Sequence, residues 1–138
     1  MIVLDTNVIS EMMKALPSLK VIAWIDQQNT SDLFVTTITI AEIVYGLRVL
    51  PIGNRRTMLE NAFHKTINQA FDGRILGFDE LAANRYGQLM ADRKKMGRPF
   101  SVLDGQIAAI AHIKRFKIAT RNIPDFSDCS IDLINPFL

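Results

Sequence analysis

Four carboxylates stand where an α/β fold would draw them together: Asp5, Glu42, Asp104 and Asp125. Asp5 closes the apolar run Met1-Ile2-Val3-Leu4. Asp104 opens the helical run Gly105 to Ala111, and Asp125 follows the apolar segment Ile118-Ala119-Thr120 after a short loop. Glu42 lies one turn into an apolar helix, among Ile40, Ala41, Ile43 and Val44. Such positions fall at or just beyond the C-terminal ends of strands, the edge at which open parallel sheets bind ligands. Carboxylates gathered there repel one another unless a divalent cation sits among them. A cage of oxygen donors open to water suits Mg²⁺, with Mn²⁺ as a substitute, and phosphodiester chemistry.

Each acid also has a plainer explanation. Thr39-Ile40-Ala41-Glu42 and Ser101-Val102-Leu103-Asp104 both match the capping-box pattern. An acid in such a box contributes about 0.5–1 kcal/mol to its helix. Asp5 has the position of a cap for the first helix, and Asp125 that of a turn anchor after Pro124. Taken together, the acids point further, because carboxylates among apolar neighbours are costly without a cation. Thr6 and Asn7 beside Asp5, and Thr120 and Asn122 near Asp125, supply polar groups that could hold a carboxylate or a water. The residues alone therefore leave two readings: a metal-dependent nuclease, or a non-catalytic binding module whose acids only cap helices. His64 and His112 fall on helices away from the acids and are expected to be structural. No Walker or dinucleotide-binding glycine loop is present, so nucleotide hydrolysis and dinucleotide redox chemistry have no support.

The elements that must position these residues alternate. Ile2-Val3-Leu4, Leu33-Phe34-Val35, Arg74 to Gly77, Lys117 to Thr120 and Ile131 to Ile134 read as short strands. Helices are expected from Asn7 to about Lys14, from Pro17–Ser18 through Ile25, and from about Ile40 to Leu50. Apolar residues at helical spacing predict another over Arg56–Phe71, one capped by Asp79 running to about Lys95, and one from Asp104 to about Phe116. Strands alternating with helices imply a parallel sheet covered on both faces. The two helices in succession between Val35 and Arg74 depart from simple winding and suggest a lobe or an oligomer surface.

The chain has 138 residues, which fits one domain over 1–138. No apolar stretch reaches the roughly 20 residues that span a bilayer. The start lacks the basic residues of a signal peptide, so a cytoplasmic location is expected. A single cysteine, Cys129, excludes intrachain disulfides and thiolate zinc clusters and reads as a buried spectator. Setting aside the four candidate acids leaves ten acids against sixteen Lys and Arg. A basic surface around an acidic pocket suits a polyanion, although the same balance also serves solubility. Arg93, Lys94, Lys95 and Arg98 form one candidate phosphate-contacting run, and Arg48, Arg55 and Arg56 a second. Trp24 and Phe34 are expected in the core; Met12 and Met13 suit either core or a groove for a partner.

The motifs in order resemble the PIN-domain family. Leu4-Asp5-Thr6-Asn7, Glu42 in Thr39-Ile40-Ala41-Glu42, Asp104-Gly105-Gln106-Ile107-Ala108-Ala109 and Thr120-Arg121-Asn122-Ile123-Pro124-Asp125-Phe126 carry the resemblance. It covers essentially the whole chain and is nearest to VapC-type toxins of type II toxin–antitoxin modules, in the FitB-like branch. It implies a three-layer α/β/α sandwich around a central, mostly parallel sheet. It also implies a Mg²⁺-dependent endoribonuclease restrained by a cognate antitoxin, frequently a homodimer, with transfer RNA a common substrate class. Carried over, Asp5 and Asp104 are the metal ligands and Glu42 the third acid. Asn122 and Asp125 compete for the fourth position, and one or two metals remain open. An RNA-processing PIN nuclease without an antitoxin is the nearest alternative.

Overall fold

The computed structural model describes residues 1–138. Five short strands form one sheet: β1 (Ile2–Leu4), β2 (Leu33–Thr36), β3 (Ile75–Leu76), β4 (Lys117–Ala119) and β5 (Leu133–Ile134). Their order is β3-β2-β1-β4-β5, and every pairing is parallel. The expected mostly parallel sheet is thus parallel throughout. Between the strands run α1 (Thr6–Met12), α2 (Leu19–Asp26), α3 (Thr37–Arg48), α4 (Asn54–Lys65), α5 (Glu80–Lys95), α6 (Val102–Lys114) and the one-turn α7 (Ile123–Phe126).

The strands are apolar on both faces, as a covered parallel sheet requires. In β1, Ile2 and Leu4 pack with Val8, Ile9, Val21, Ile43, Leu47 and Phe63 from α1 to α4. Val3, pointing the other way, packs with Leu89, Phe100, Ile107, Ala108 and Phe126 around α5 to α7. This alternation is the period of two of a strand, and it makes the chain an α/β/α sandwich. Burying a side chain of this size contributes about 1.5–3 kcal/mol. Trp24, Met12 and Met13 pack against the first cluster. Phe34 pairs with Phe116 at 4.8 Å between ring centres.

Several boundaries differ from the sequence expectation for identifiable reasons. Helix α3 starts at Thr37, not near Ile40, because Thr36 is its cap: the Thr36 side chain accepts from the Thr39 amide at 3.1 Å. Helix α6 starts at Val102, with Ser101 as cap, so Asp104 lies in its first turn rather than opening it. The helix predicted over Arg56–Phe71 is regular only over Asn54–Lys65 and widens into a π-type segment, Thr66–Ala70, where the Thr66 hydroxyl donates to the Ala62 carbonyl. Helix α7 replaces the short loop expected before Asp125. No helix is long and apolar enough to cross a membrane.

Phe126, at 0% exposure, anchors α7 in the second core cluster, 6.5 Å from Phe100. Phe126→Ala should lower the unfolding free energy by about 3–5 kcal/mol, measured by urea denaturation. A loss below about 1 kcal/mol would mean that α7 is not part of the cooperative core.

Candidate active site

The winding of the sheet reverses at β1. The chain passes from β1 outward to β2 and β3, then returns to place β4 on the other side of β1. The crevice between the C-terminal ends of β1 and β4 is the switch point at which such sheets bind ligands. Asp5 follows β1 there and Thr120 follows β4.

Asp5 is 4% exposed, and donors meet both oxygens of its carboxylate. Its Oδ1 accepts from the Thr6 amide at 2.8 Å; its Oδ2 accepts from the Thr120 hydroxyl at 2.8 Å and from Asn7 Nδ2 at 3.2 Å. Thr120 Oγ1 in turn accepts from the Asn122 amide at 3.0 Å and from Asn7 Nδ2 at 3.3 Å. One hydroxyl has a single proton and two lone pairs, so Thr120 has no valence left. The Thr6 hydroxyl donates to Glu42 Oε1 at 3.1 Å and stands 3.0 Å from the Thr39 hydroxyl. Thr6, Asn7 and Thr120 therefore link three elements around Asp5.

Three of the four acids face one cavity of about 370 Å³, lined by Asp5, Glu42, Asp104 and Asn122 together with Glu11, Lys14 and Arg121, and by no apolar residue. Asp125 stands outside this wall, exposed on α7, although its charge reaches both Asp5 and Asp104. Burial pushes the Asp5 carboxyl above its ordinary range; the Thr120 and Thr6 bonds oppose this, and the charges of Asp104 and Asp125 add to it. Burial also raises Glu42, against the Thr6 bond and with the help of Asp5 and Asp104. Asp104 is raised by burial, opposed by Ser101, raised further by Asp125 and lowered by Arg93. No three acidic, histidine or cysteine side chains close on one point as a finished cage. The donor set nevertheless fits a hard divalent cation that keeps part of its water shell: carboxylate and amide oxygens, no thiolate or imidazole, and repulsion that a cation would relieve.

Capping accounts for only part of this arrangement. Asp5 does cap α1. Glu42, in the second turn of α3, caps nothing, since Thr36 holds that role. At α6 the cap is Ser101. The basic runs also divide. Arg93 is 4% exposed and faces no open phosphate site: its guanidinium lies 4.1 Å over Phe100 and donates to the carbonyls of Arg98 at 2.6 Å, Ser127 at 2.8 Å and Asp125 at 3.3 Å. Arg98 binds the Asp128 carboxylate, the Pro124 carbonyl and the Ser127 hydroxyl. These two arginines clamp the segment that carries Asp125. Arg48 and Arg56 pair with Glu60. Cys129 is buried, donating to the Phe126 carbonyl at 2.7 Å.

Glu11, Lys14 and Arg121 line the cavity without having been singled out from the sequence. A signal existed for two of them, since Asn7, Glu11 and Lys14 recur at helical spacing on one face. Glu11 is buried, accepts from the Ser18 amide at 3.3 Å and pairs with Lys14 at 2.6 Å.

The model of the PIN domain matches residues 2–128. VapC ribonuclease Y4jK of Sinorhizobium fredii is 44% identical over 99% of this chain and 98% of its own length. Toxin FitB of Neisseria gonorrhoeae is 36% identical over 99% of both. A solved FitAB complex bound to an IR36 DNA fragment contains a chain that superposes with a TM-score of 0.92, at 36% identity, covering 100% of this chain and 96% of that one.

The raised carboxyls predict a sign for pH dependence. The folded state holds these protons more tightly than the unfolded chain, whose carboxylates titrate near about 4. Their contribution to stability is present below that range and is lost as pH rises through the higher folded values. Glu42→Gln keeps an acceptor for Thr6 and removes one charge. Without divalent cations it should melt higher than the parent at pH 7, the gain shrinking toward pH 4. A lower melting temperature at pH 7 in a calorimetric pH series would contradict the repulsion.

Proposed function

The chain belongs to the PIN-domain family, and on that premise we propose that it is a divalent-metal-dependent endoribonuclease, the toxin of a toxin–antitoxin pair. The observation that carries this reading is the polar cavity at the β1/β4 switch point, with Asp5, Glu42 and Asp104 on its wall. The similarity to a VapC ribonuclease and to Toxin FitB over nearly the full length supports it. The FitAB complex supports an antitoxin as partner. Exposed apolar side chains on α3 and just beyond, Tyr45, Val49 and Ile52, give a homodimer or an antitoxin a surface to cover.

Asp5 and Asp104 are the proposed ligands of Mg²⁺, or of Mn²⁺ in its place, which when bound polarises a phosphodiester and makes water more acidic. Asp5 is held in a single orientation by Thr6, Asn7 and Thr120. Glu42 uses Oε1 for the Thr6 bond, leaving Oε2 to take the proton of the attacking water; a carboxyl raised above its ordinary range suits a general base. Asn122 offers a neutral donor or acceptor on the wall. Asp125 contributes charge from the rim. The whole of 1–138 is taken as one catalytic domain, with transfer RNA the substrate class to test first.

Asp104→Asn should lower Mg²⁺-dependent RNA cleavage by about a hundredfold or more, since even residues behind metal ligands are worth 10–100-fold, with its fold intact by circular dichroism. Asp125→Ala should lose less. Mg²⁺ or Mn²⁺ should raise the melting temperature of the parent protein by linkage to the folded state, and Asp104→Asn should blunt that rise. Wild-type cleavage by folded Asp104→Asn would end this assignment. Full cleavage in the presence of chelator would exclude the metal.

A further inference from the structure

An acidic cavity repels the polyanion it is meant to cut, so some cation must bring the backbone in. Two line the cavity, Lys14 and Arg121. The Lys14 ammonium is committed to Glu11 at 2.6 Å. Arg121 is not: the ion pairs of the chain are Lys14–Glu11, Arg48–Glu60, Arg56–Glu60 and Arg98–Asp128, and its guanidinium donates no hydrogen bond. We infer that Arg121 is a substrate-binding residue, an anchor that seats an RNA phosphate beside the carboxylate cavity, with Phe137 as the platform that presents it. The inference rests on the ribonuclease reading above.

Both parts of Arg121 are held. Its amide donates to Asn7 Oδ1 at 3.1 Å, and its carbonyl accepts from Asn135 Nδ2 at 3.4 Å. Asn135 Oδ1 also accepts from the Phe137 amide at 2.9 Å, which folds the tail back. The guanidinium lies over the Phe137 ring, 3.9 Å from its centre, an arrangement favoured by the charge distribution of the ring. Stacking occupies the flat face and leaves the in-plane N–H edge free, the edge that binds phosphate as a two-pronged fork. Because the side chain is already ordered, binding loses little of its freedom. Asn7 completes the link: its Nδ2 bonds the Asp5 carboxylate and its Oδ1 the Arg121 amide. One side chain therefore sets the spacing between the carboxylate and the anchor.

The test uses the full chain as wild type, Arg121→Ala, Arg121→Lys and Phe137→Leu. Binding of a fluorescent transfer RNA is followed by anisotropy in an Asp104→Asn background, and cleavage kinetics in the active protein. Arg121→Ala should weaken RNA binding about tenfold or more. It should also flatten the slope of log affinity against log salt by about 0.7, the share of one single-strand phosphate. KM should rise while kcat at saturating RNA stays within about threefold, and the Mn²⁺-induced rise in melting temperature should be unchanged. Arg121→Lys should recover part of the affinity and the whole salt slope, and Phe137→Leu should fall between wild type and Arg121→Ala. Unchanged affinity and slope in Arg121→Ala, with wild type cleaving normally, would overturn the anchor alone. So would a loss confined to kcat. A wild-type protein that neither binds nor cuts RNA would overturn the ribonuclease reading and the anchor with it.

Discussion

A carboxylate buried at the end of a strand is the constraint on which this molecule is organised. Asp5 has lost nearly all contact with water, and a charge so placed is tolerable only when it is met by donors or a cation. The chain brings those donors from its two ends: Thr6 and Asn7 next in sequence, and Thr120 from beyond β4. Each donor is itself bonded onward, to Glu42, Arg121 or Asn122. The network is therefore connected rather than a set of pairs, and such networks stand or fall together. Burial exceeds what the donors return, since the Asp5 carboxyl still lies above its ordinary range. A cation bound there, as proposed, would relieve that residual imbalance.

The parallel sheet makes the meeting possible. Strands β1 and β4 lie side by side although more than a hundred residues separate them, because the winding reverses between them. The Asp5 amide continues the ladder onto the Ala119 carbonyl at 2.9 Å, so the first catalytic candidate is fixed by the sheet before any side chain acts. Glu42 and Asp104 come from α3 and α6, which feed different core clusters and touch each other.

Much of this was legible in the sequence, and what was not had physical causes. Short apolar runs between turn residues announce strands even where, as in β3 and β5, burial is incomplete, so all five were found, with ends shifted by a residue or two. Helix starts were harder. Thr36, Thr37 and Thr39 all have capping chemistry, and only tertiary packing selects Thr36. A one-turn helix such as α7 has no periodicity to detect. Arg93 reads as one more surface cation within Arg93-Lys94-Lys95, because two of the three carbonyls that satisfy it lie 32 and 34 residues away. Arg121 sits among Thr120 and Asn122, residues the sequence did single out, but its platform is an aromatic residue sixteen positions on. Motif reading named three acids that line the cavity and passed over Lys14 and Arg121 beside them.

The clamp on α7 has an evolutionary consequence. Arg93 grips the carbonyl oxygens of Asp125 and Ser127 and not their side chains. Any residue carries that carbonyl. Position 125 can therefore drift from acid to amide to alanine while the backbone around it keeps its course. Descendants of this chain could retune the charge beside the cavity without first relearning how to fold.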